Sequence, residues 1–511
     1  MAFFRAYIGF YDMRYGQNRI FEIIPGALTW TTLIAAFTLS FLKPIWVIGF
    51  LVLFNLYWLM RVLYFVFWLT YSWLRYKKEL RTDWLAQAQI LPRMRAVWHI
   101  VFLPTFRDEL PVLESTFAAL CKSAYPLDRL IVVLAGEALD RTRFEAVAEA
   151  VRQRYASRFA HFLVTLHPSG LAEEIAGKGS NLHWAGWRAK ELIDRIGLPY
   201  DDVVVSAFDI DTVVHPQYFA RLTHAFLTHP TPLRTSYQPL ALFNNNLWDS
   251  PSFSRVVANS TTFWLMTELA RPERLLTFSS HAMPWRALTD VGFWQKDIVN
   301  EDARISMQCM AHYHGDYRVT PLFIPVSMDT CYGGTFWKTV VNQYKQMRRW
   351  AWSVEHIPYL VHKFRHDRET PWRFKCKLLW IISEGAFSWA TSAVLIMLSR
   401  LPLAVAAHQG SASVLALNAP FIFGWLMRLA MVGILVSALV NVSLLPPAPR
   451  AHRVWKLLAM IGQWILLPVT LIAFGSLPAI DAQTRLMLGR YLGFWSTEKV
   501  RKRGTAHNTP N

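Results

Sequence analysis

Charge is scarce in this chain. Asp, Glu, Lys and Arg make up 17% of its 511 residues, against about 25% in soluble globular proteins, which argues against a wholly soluble enzyme. Acids are the scarcer sign, with 35 Asp and Glu against 53 Lys and Arg, a formal net charge of +18. Cysteine is rarer still. Its four copies (Cys121, Cys309, Cys331, Cys376) show no C-x-x-C spacing, so neither a zinc site nor a disulfide framework is expected, and all four read as free thiols. The sequence contains no internal repeat or low-complexity tract. No zinc-finger, RNA-recognition or basic-zipper pattern gathers the Lys and Arg, which excludes nucleic acid as a partner. Apolar mass dominates instead: 53% of residues are hydrophobic, with 23 Trp and 33 Phe, a composition that rules out a disordered or collagenous chain.

That mass falls into runs. Pro25–Leu42 carries no charge, and Pro44–Leu74 carries only Arg61. About 20 apolar residues cross a bilayer, so two helices joined at Lys43-Pro44 fit here. A cleaved signal peptide does not, because the first run starts far from Met1 and a second span follows at once. Arg5, Arg14 and Arg19 precede the first span and Arg75, Lys77, Lys78 and Arg81 close the second, which places both flanks in the cytoplasm. Apolar runs return at Leu378–Leu398 (with Glu384), Phe421–Leu445 (with Arg428) and Leu457–Leu477 (with Pro468). Arg428 reads either as lumen-lining or as the ion-pair partner of Glu384. The expected division is a cytoplasmic segment over 1–20, two spans over 21–80, a cytoplasmic catalytic domain over 85–360, an interface segment over 361–377, three or four spans over 378–477 and a basic tail over 478–511.

Between the membrane regions, buried-strand patterns occur at Val97–Leu103, Leu130–Leu134, Phe162–Leu166, Val203–Phe208 and Val319–Val326, alternating with helical stretches at Pro111–Ala124, Arg141–Ala156 and Leu182–Ile196. Such alternation predicts an α/β domain with a mostly parallel sheet and ligands at the carboxyl ends of its strands. Acids stand at those ends. Asp209-Ile210-Asp211 follows one strand, and strand alternation would send both carboxylates to one side, where they could hold a divalent cation with a substrate diphosphate. Pro104–Glu109 closes the first strand. Gly177-Lys178-Gly179-Ser180-Asn181 opens a helix, where amides and Lys178 could meet phosphate. Asn300-Glu301-Asp302 starts another helix, where carboxylates serve equally as first-turn caps. Gln346-Met347-Arg348-Arg349-Trp350 follows, with a basic amphipathic interface helix as its plainer reading.

This ordered set resembles the membrane-embedded family 2 glycosyltransferases, the group of cellulose, hyaluronan and chitin synthases, over about residues 95–360. The resemblance rests on Pro104–Asp108, Lys178, Asp209/Asp211, Glu301-Asp302 and Gln346…Arg349-Trp350. It implies a Rossmann-like GT-A domain inserted between transmembrane α-helices, in a multi-pass protein of the plasma (bacterial inner) membrane. It also implies inverting transfer from a nucleotide-sugar, expected as a UDP-sugar, assisted by Mg²⁺ or Mn²⁺. By the same resemblance Asp302 is the base with Glu301 beside it, and Thr105, Asp108, Glu137, Lys178, Asp209, Gln346 and Arg349 bind the donor. Asp209 and Asp211 hold the metal, and Trp350 and His281 face the acceptor. The family's acidic pair after the second strand is replaced by Leu134-Ala135-Gly136-Glu137, its T-E-D reads Asn300-Glu301-Asp302, and its acceptor segment reads Ser279–Met283.

The implied acceptor is a growing polysaccharide, with translocation between the spans; a lipid glycosylated once is the alternative. A non-catalytic transporter or receptor is a third reading, opposed by the retention of Asp209, Asp211, Asp302 and Trp350. Membrane lipids are expected partners, and accessory subunits are not legible. Phe494-Trp495-Ser496-Thr497-Glu498-Lys499 is similar to a cellulose-synthase gating loop, making Phe494, Thr497 and Lys499 gating candidates. Three C-terminal crossings would export this tail, yet its basic cluster belongs inside. Either Pro468 breaks Leu457–Leu477 into a re-entrant hairpin, or Leu401–Ala419 adds a crossing.

Overall fold

The computed structural model describes residues 19–410, 413–447, 453–493 and 495. The gating candidates Phe494, Thr497 and Lys499, with Arg5 and Arg14, lie outside them. Two long helices come first, α1 (Arg19–Leu42) and α2 (Pro44–Leu80). Lys43 leaves helical geometry between them, and Pro44 takes the first turn of α2, where its missing N–H costs no hydrogen bond.

An eight-stranded mixed sheet follows, ordered β3-β2-β1-β4-β7-β6-β8-β5. Its strands are β1 (Trp98–Pro104), β2 (Leu130–Glu137), β3 (His161–His167), β4 (Val203–Ala207), β5 (Val213–Val214), β6 (Thr235–Phe243), β7 (Ala282–Pro284) and β8 (Arg318–Met328). The first four pair in parallel. β1, β2 and β4 are apolar runs buried on both faces, as strands sandwiched between helix layers must be. This is the mixed, mostly parallel sheet expected of a GT-A domain between apolar helices, and all four cysteines are free.

Three strands were not legible in the sequence, of which β5, at two residues, is too short to leave a periodic signal. β6 carries Pro239 at its middle, where its pairing with β8 slips between Gln238 and Leu240; an interior proline signals a non-strand. β7 is only three residues long. It runs antiparallel to β4, with Ala282 opposite Ser206, so the preceding Ser279–His281 segment arrives at the carboxyl end of β4.

The helices used below are α3 (Leu110–Cys121), α4 (Arg141–Tyr155), α5 (Lys178–Ile196), α6 (Tyr218–Thr228), α7 (Ser252–Leu269), α8 (Glu301–His312), α9 (Phe336–Ala351), α10 (His356–His366), α11 (Trp372–Leu398), α12 (Arg400–His408), α13 (Val414–Leu444), α14 (Arg453–Gly462) and α15 (Leu477–Met487). Five stretches among the described residues are long and apolar enough to cross a membrane: Arg19–Leu42, Pro44–Leu80, Trp372–His408, Val414–Leu444 and Val454–Met487. They expose large apolar side chains such as Trp46, Leu53, Phe67, Leu439 and Ile465, the pattern of surfaces solvated by hydrocarbon. The last stretch is irregular. A 3-10 turn (Gln463–Leu466) and a π turn (Leu471–Ser476) flank Pro468.

Glu384 pairs with Arg61 on α2, at 3.2 Å, and not with Arg428. The guanidinium of Arg428 instead lies over Trp425, 5.3 Å from the ring centroid. Residues 425 and 428 share one face of α13, so the local aromatic partner takes the charge.

Candidate active site

The carboxyl ends of β1, β2, β4 and β8 open, with the starts of α5 and α8, onto one cavity of about 1750 Å³ that continues along α2, α11 and α13. Lys178 is central. It begins α5, is largely but not fully enclosed, and brings Nζ to 2.7 Å from Asp209, 2.8 Å from Asp302 and 3.4 Å from Glu301. Burial opposes its charge, but these three carboxylates outweigh burial and push its pKa up. Glu301 is pushed up to about 7, by burial first and then by the charge of Asp302, with Lys178 pulling the other way. The first turn of α8 thus carries two carboxyls of different character: a buried Glu301 that holds its proton near neutrality, and a more open Asp302 held by an ammonium. Thr277 Oγ1 donates to the Asp302 carbonyl at 2.5 Å and further fixes the turn.

Asp209 and Asp211 do not sit on strand geometry. β4 ends at Ala207, and the two acids occupy a turn closed by the Thr212 N–H on the Asp209 carbonyl at 2.9 Å. The alternation expected of a continuing strand therefore does not apply. Asp209 also accepts from Ser279 Oγ at 2.7 Å. Asp211 is buried and accepts from the Asp329 N–H at 2.8 Å. Among the described residues no group of three or more His, Cys, Asp or Glu is disposed to hold a metal. Two carboxylates suffice, however, for a hard cation whose remaining ligands are phosphate oxygens and water. Asp209 and Asp211 both line the cavity, so this donor set fits a divalent cation that arrives with a diphosphate.

At the end of β1, Thr105 Oγ1 and the Phe106 N–H both donate to Asp108 Oδ2 at 3.0 Å. Arg107 between them adopts a left-handed backbone (φ 61°), unusual for a residue with a Cβ. Its N–H is taken by Asp140 Oδ2 at 3.0 Å. On the far wall α9 contributes Gln346, Arg349 and Trp350 to the cavity. Gln346 Oε1 accepts from Gln343 at 3.1 Å, and Asn300 donates to the Arg349 carbonyl at 3.0 Å, tying α9 to the start of α8. The Trp350 ring is held edge-on by Phe278, 5.9 Å away. Trp495, the one described residue of the gating-like segment, also lines the cavity, with Lys345 5.2 Å from its ring.

His281 is not on the cavity wall. It is fully buried, with Nδ1 on the Phe278 carbonyl at 3.1 Å and 3.7 Å from Asp302. Burial pushes its pKa down. It stands behind Asp302, because the antiparallel pairing that leads into β7 draws residue 281 into the sheet, where its carbonyl accepts from the Ala207 N–H at 3.0 Å.

Sequence reasoning found Glu137 but missed its partners. Glu137 ends β2, buried, with Oε2 2.8 Å from His167 Nδ1 at the end of β3. His167 Nε2 lies 3.0 Å from Glu174, an ion-pair contact that is not aligned as a hydrogen bond. Burial pushes Glu137 up; burial pulls His167 down, but the two carboxylates outweigh it and push His167 up. Both shifts have one sign, since the folded cluster holds its protons more tightly than the unfolded chain does. The His167 part of this stabilisation is complete below the ordinary imidazole value of 6.5 and is lost as pH rises through the raised folded value, while the Glu137 part is complete only below its ordinary 4.5. The thermal midpoint is expected to fall on going from pH 6.5 into the alkaline range. A His167→Gln variant, followed by the same melts, is expected to lose most of that slope.

Also missed were Asp329, at the end of β8, and the buried Arg304. Asp329 follows the same strand-end rule that singled out Asp209. The Arg304 Nε donates to His356 Nδ1 at 3.1 Å, and its Nη1 to Gln295 at 2.8 Å. Its plane covers Tyr359 at 3.7 Å. Burial, then the Arg304 charge, keep His356 neutral at the cavity wall.

A family model described as Glycosyl transferase family group 2 matches residues 204–475. Among solved structures the chain is similar to the mannosyltransferase PcManGT from Pyrobaculum calidifontis in complex with GDP-Man and Mn²⁺. There the TM-score is 0.44 at 16% identity, over 82% of this chain and 99% of that one. It is also similar to S. aureus TarS 1-349 in complex with UDP-GlcNAc, with TM-score 0.35 and 12% identity over 77% and 93%. No curated protein sequence matches.

Proposed function

The chain belongs to glycosyl transferase family group 2 and is a glycosyltransferase; from that premise we propose inverting transfer of a sugar from a nucleotide-sugar to an acceptor hydroxyl at the membrane. The observation that carries this reading is the single cavity in which Lys178 meets Asp209, Glu301 and Asp302 opposite Gln346, Arg349 and Trp350. Asp302 takes the acceptor proton as that oxygen forms its bond to the anomeric carbon. The bond from this carbon to the donor phosphate oxygen breaks, and its electron pair leaves with the nucleoside diphosphate. Direct displacement inverts the anomeric centre and needs no covalent nucleophile. Lys178 and Arg349 supply fixed positive charge for the departing diphosphate. Asp209 and Asp211 would hold Mg²⁺ or Mn²⁺, whose charge adds to that stabilisation. Thr105, Asp108 and Glu137 form the donor end of the cavity, and Trp350 offers a ring face to the incoming acceptor.

The basic residues Arg75, Lys77 and Lys78 before the domain and Arg373, Lys375 and Lys377 after it favour a cytoplasmic catalytic domain, in the plasma (bacterial inner) membrane. Two acceptor classes suit such a position. The synthase resemblance favours a growing polysaccharide, exported as it grows; the alternative is a lipid. Both need a path from Asp302 into the membrane, and the continuation of the cavity along α11 provides one.

The test is release of nucleoside diphosphate by purified protein across a panel of UDP- and GDP-sugars, UDP-sugars being expected to turn over. No turnover of any donor would refute the reading. In the same assay Asp211→Ala is expected to weaken nucleotide binding and raise the divalent-ion requirement together, by about tenfold or more. An unchanged metal titration would remove Asp211 from the cation site.

A further inference from the structure

We propose that the membrane-level part of the cavity binds the hydrocarbon chain of a lipid acceptor, which this enzyme glycosylates once. The proposal rests on the catalytic reading above and names its acceptor. The cavity wall follows α11 from Ile381 to Ile396, roughly 22 Å of helix at about 1.5 Å per residue. That depth suits either an exported glycan or a lipid chain, so the chemistry of the wall decides.

The wall is apolar. Ile382, Ala393 and Ile396 of α11 face the same space as Leu426, Met427 and Ala430 of α13. Most polar groups at this level have already committed their hydrogens within the protein, the buried Trp58 Nε1 and the part-exposed Arg61 guanidinium being the exceptions. Ser388 donates to Glu384 at 2.8 Å, Ser392 to the Ser388 carbonyl at 2.6 Å and Thr470 to the Leu467 carbonyl at 3.0 Å. Asn55 donates to the Leu51 carbonyl at 2.7 Å, and Glu384 is closed off by Arg61. A glycan presents several hydroxyls on every sugar, and most of them would enter this stretch without a partner, which is strongly unfavourable. Water does not remedy this, because apolar cavities tend to stay dry. Trp58 and Trp389 offer ring faces that suit sugars and alkyl chains equally. A hydrocarbon chain asks nothing of the wall except contact, and it gains free energy with every methylene buried.

The polar end of the cavity lies at Asp302 and Trp350, where the head of such a lipid would present its hydroxyl. That oxygen forms the bond to the anomeric carbon, its proton passes to Asp302, and the nucleoside diphosphate departs with the electron pair. The product is a lipid carrying one sugar.

The experiment supplies purified enzyme with radiolabelled nucleotide-sugar and n-alkyl acceptors of one head group, from octyl to hexadecyl. Label is expected in the organic phase as one sugar per lipid, with transfer rising with chain length. Filling the slot with Ala393→Phe and Ala430→Phe is expected to lower the hexadecyl-to-octyl preference by at least about tenfold. A chain-length preference that the two fillings leave unmoved would overturn the lipid site. So would label in a solvent-insoluble product of many sugars. Release of nucleoside diphosphate in the same preparation separates the two readings. Release with either of those results leaves the glycosyltransferase assignment standing, whereas no release from any donor removes the catalytic reading and this one with it.

Discussion

Asp302→Asn is expected to lower sugar transfer by about 10³-fold, within the range for removing a positioned general base, while donor affinity changes only a few-fold. The asymmetry follows from the surroundings of Asp302. Lys178 keeps two carboxylate partners in the variant, Asp209 at 2.7 Å and Glu301 at 3.4 Å, so the cation stays charged and in place. The turn at Asp209-Asp211 is held by Ser279 and the Asp329 amide, neither of which depends on Asp302. A second signature accompanies the loss. The charge of Asp302 is one of the two causes that raise Glu301 to about 7, so Asn at 302 should lower the Glu301 value. Any residual rate should then lose an ionisation near neutrality. Product formation at saturating acceptor, with nucleotide affinity by calorimetry, checks both. Turnover within tenfold of the parent would remove Asp302 as base, and collapse of nucleotide binding would mean it serves the donor instead.

How legible the site was depended on whether a residue's role is set locally. Lys178, Asp209, Glu301 and Asp302 stand where a strand ends or a helix begins, and such boundaries show in periodicity; the fold then brings them together around one ammonium. Whatever needed pairing across the sheet did not show. Nothing local in His167 signals that it meets Glu137 on one side and Glu174 on the other, since only the parallel register of β2 and β3 sets Glu137 opposite His167. The D-x-D geometry was misread for a related reason: the hydrophobic run continues through Phe208, but the last bond to β1 is the Phe208 N–H on the Phe102 carbonyl, after which the chain turns. Pairing of Arg428 with Glu384 was one of two readings, open because both are charges in apolar helices. The choice of Arg61 depends on how α2 packs against α11, which no single helix encodes.

The same limit explains the topology, where the expected result is that Val454–Met487 does not cross the membrane, although it is long and apolar enough to do so. The ends of the helices pair up by side. Phe41, at the end of α1, accepts from Gln409, just past α12, at 3.2 Å. On the opposite side Glu79, at the end of α2, binds Arg221 of the catalytic domain through α6 at 3.0 Å. Trp73 on α2 donates to Ser443 near the end of α13 at 2.7 Å, so α13 returns to the domain side. The last stretch starts there and stays there. Gln463 accepts from Arg255 of α7 at 2.8 Å, Trp464 stacks on Phe263, and Phe474 stacks on Phe253. Asp481 binds Arg348 of α9 at 2.9 Å. Finally Arg19, where α1 begins, donates to the carbonyls of Leu486 and Met487 at 2.9 and 2.7 Å. Gly26 permits that approach, since a Cβ there would lie 2.8 Å from the Gln483 carbonyl oxygen. Four crossings and one returning segment, broken by its 3-10 and π turns around Pro468, would bring both ends of the described chain to one side. With the four native cysteines replaced, Gln409→Cys should react with an impermeant thiol reagent in intact cells, and Leu488→Cys only after permeabilisation. Labelling of both from outside would make Val454–Met487 a fifth crossing, and its contacts with α7 and α9 could not then all form.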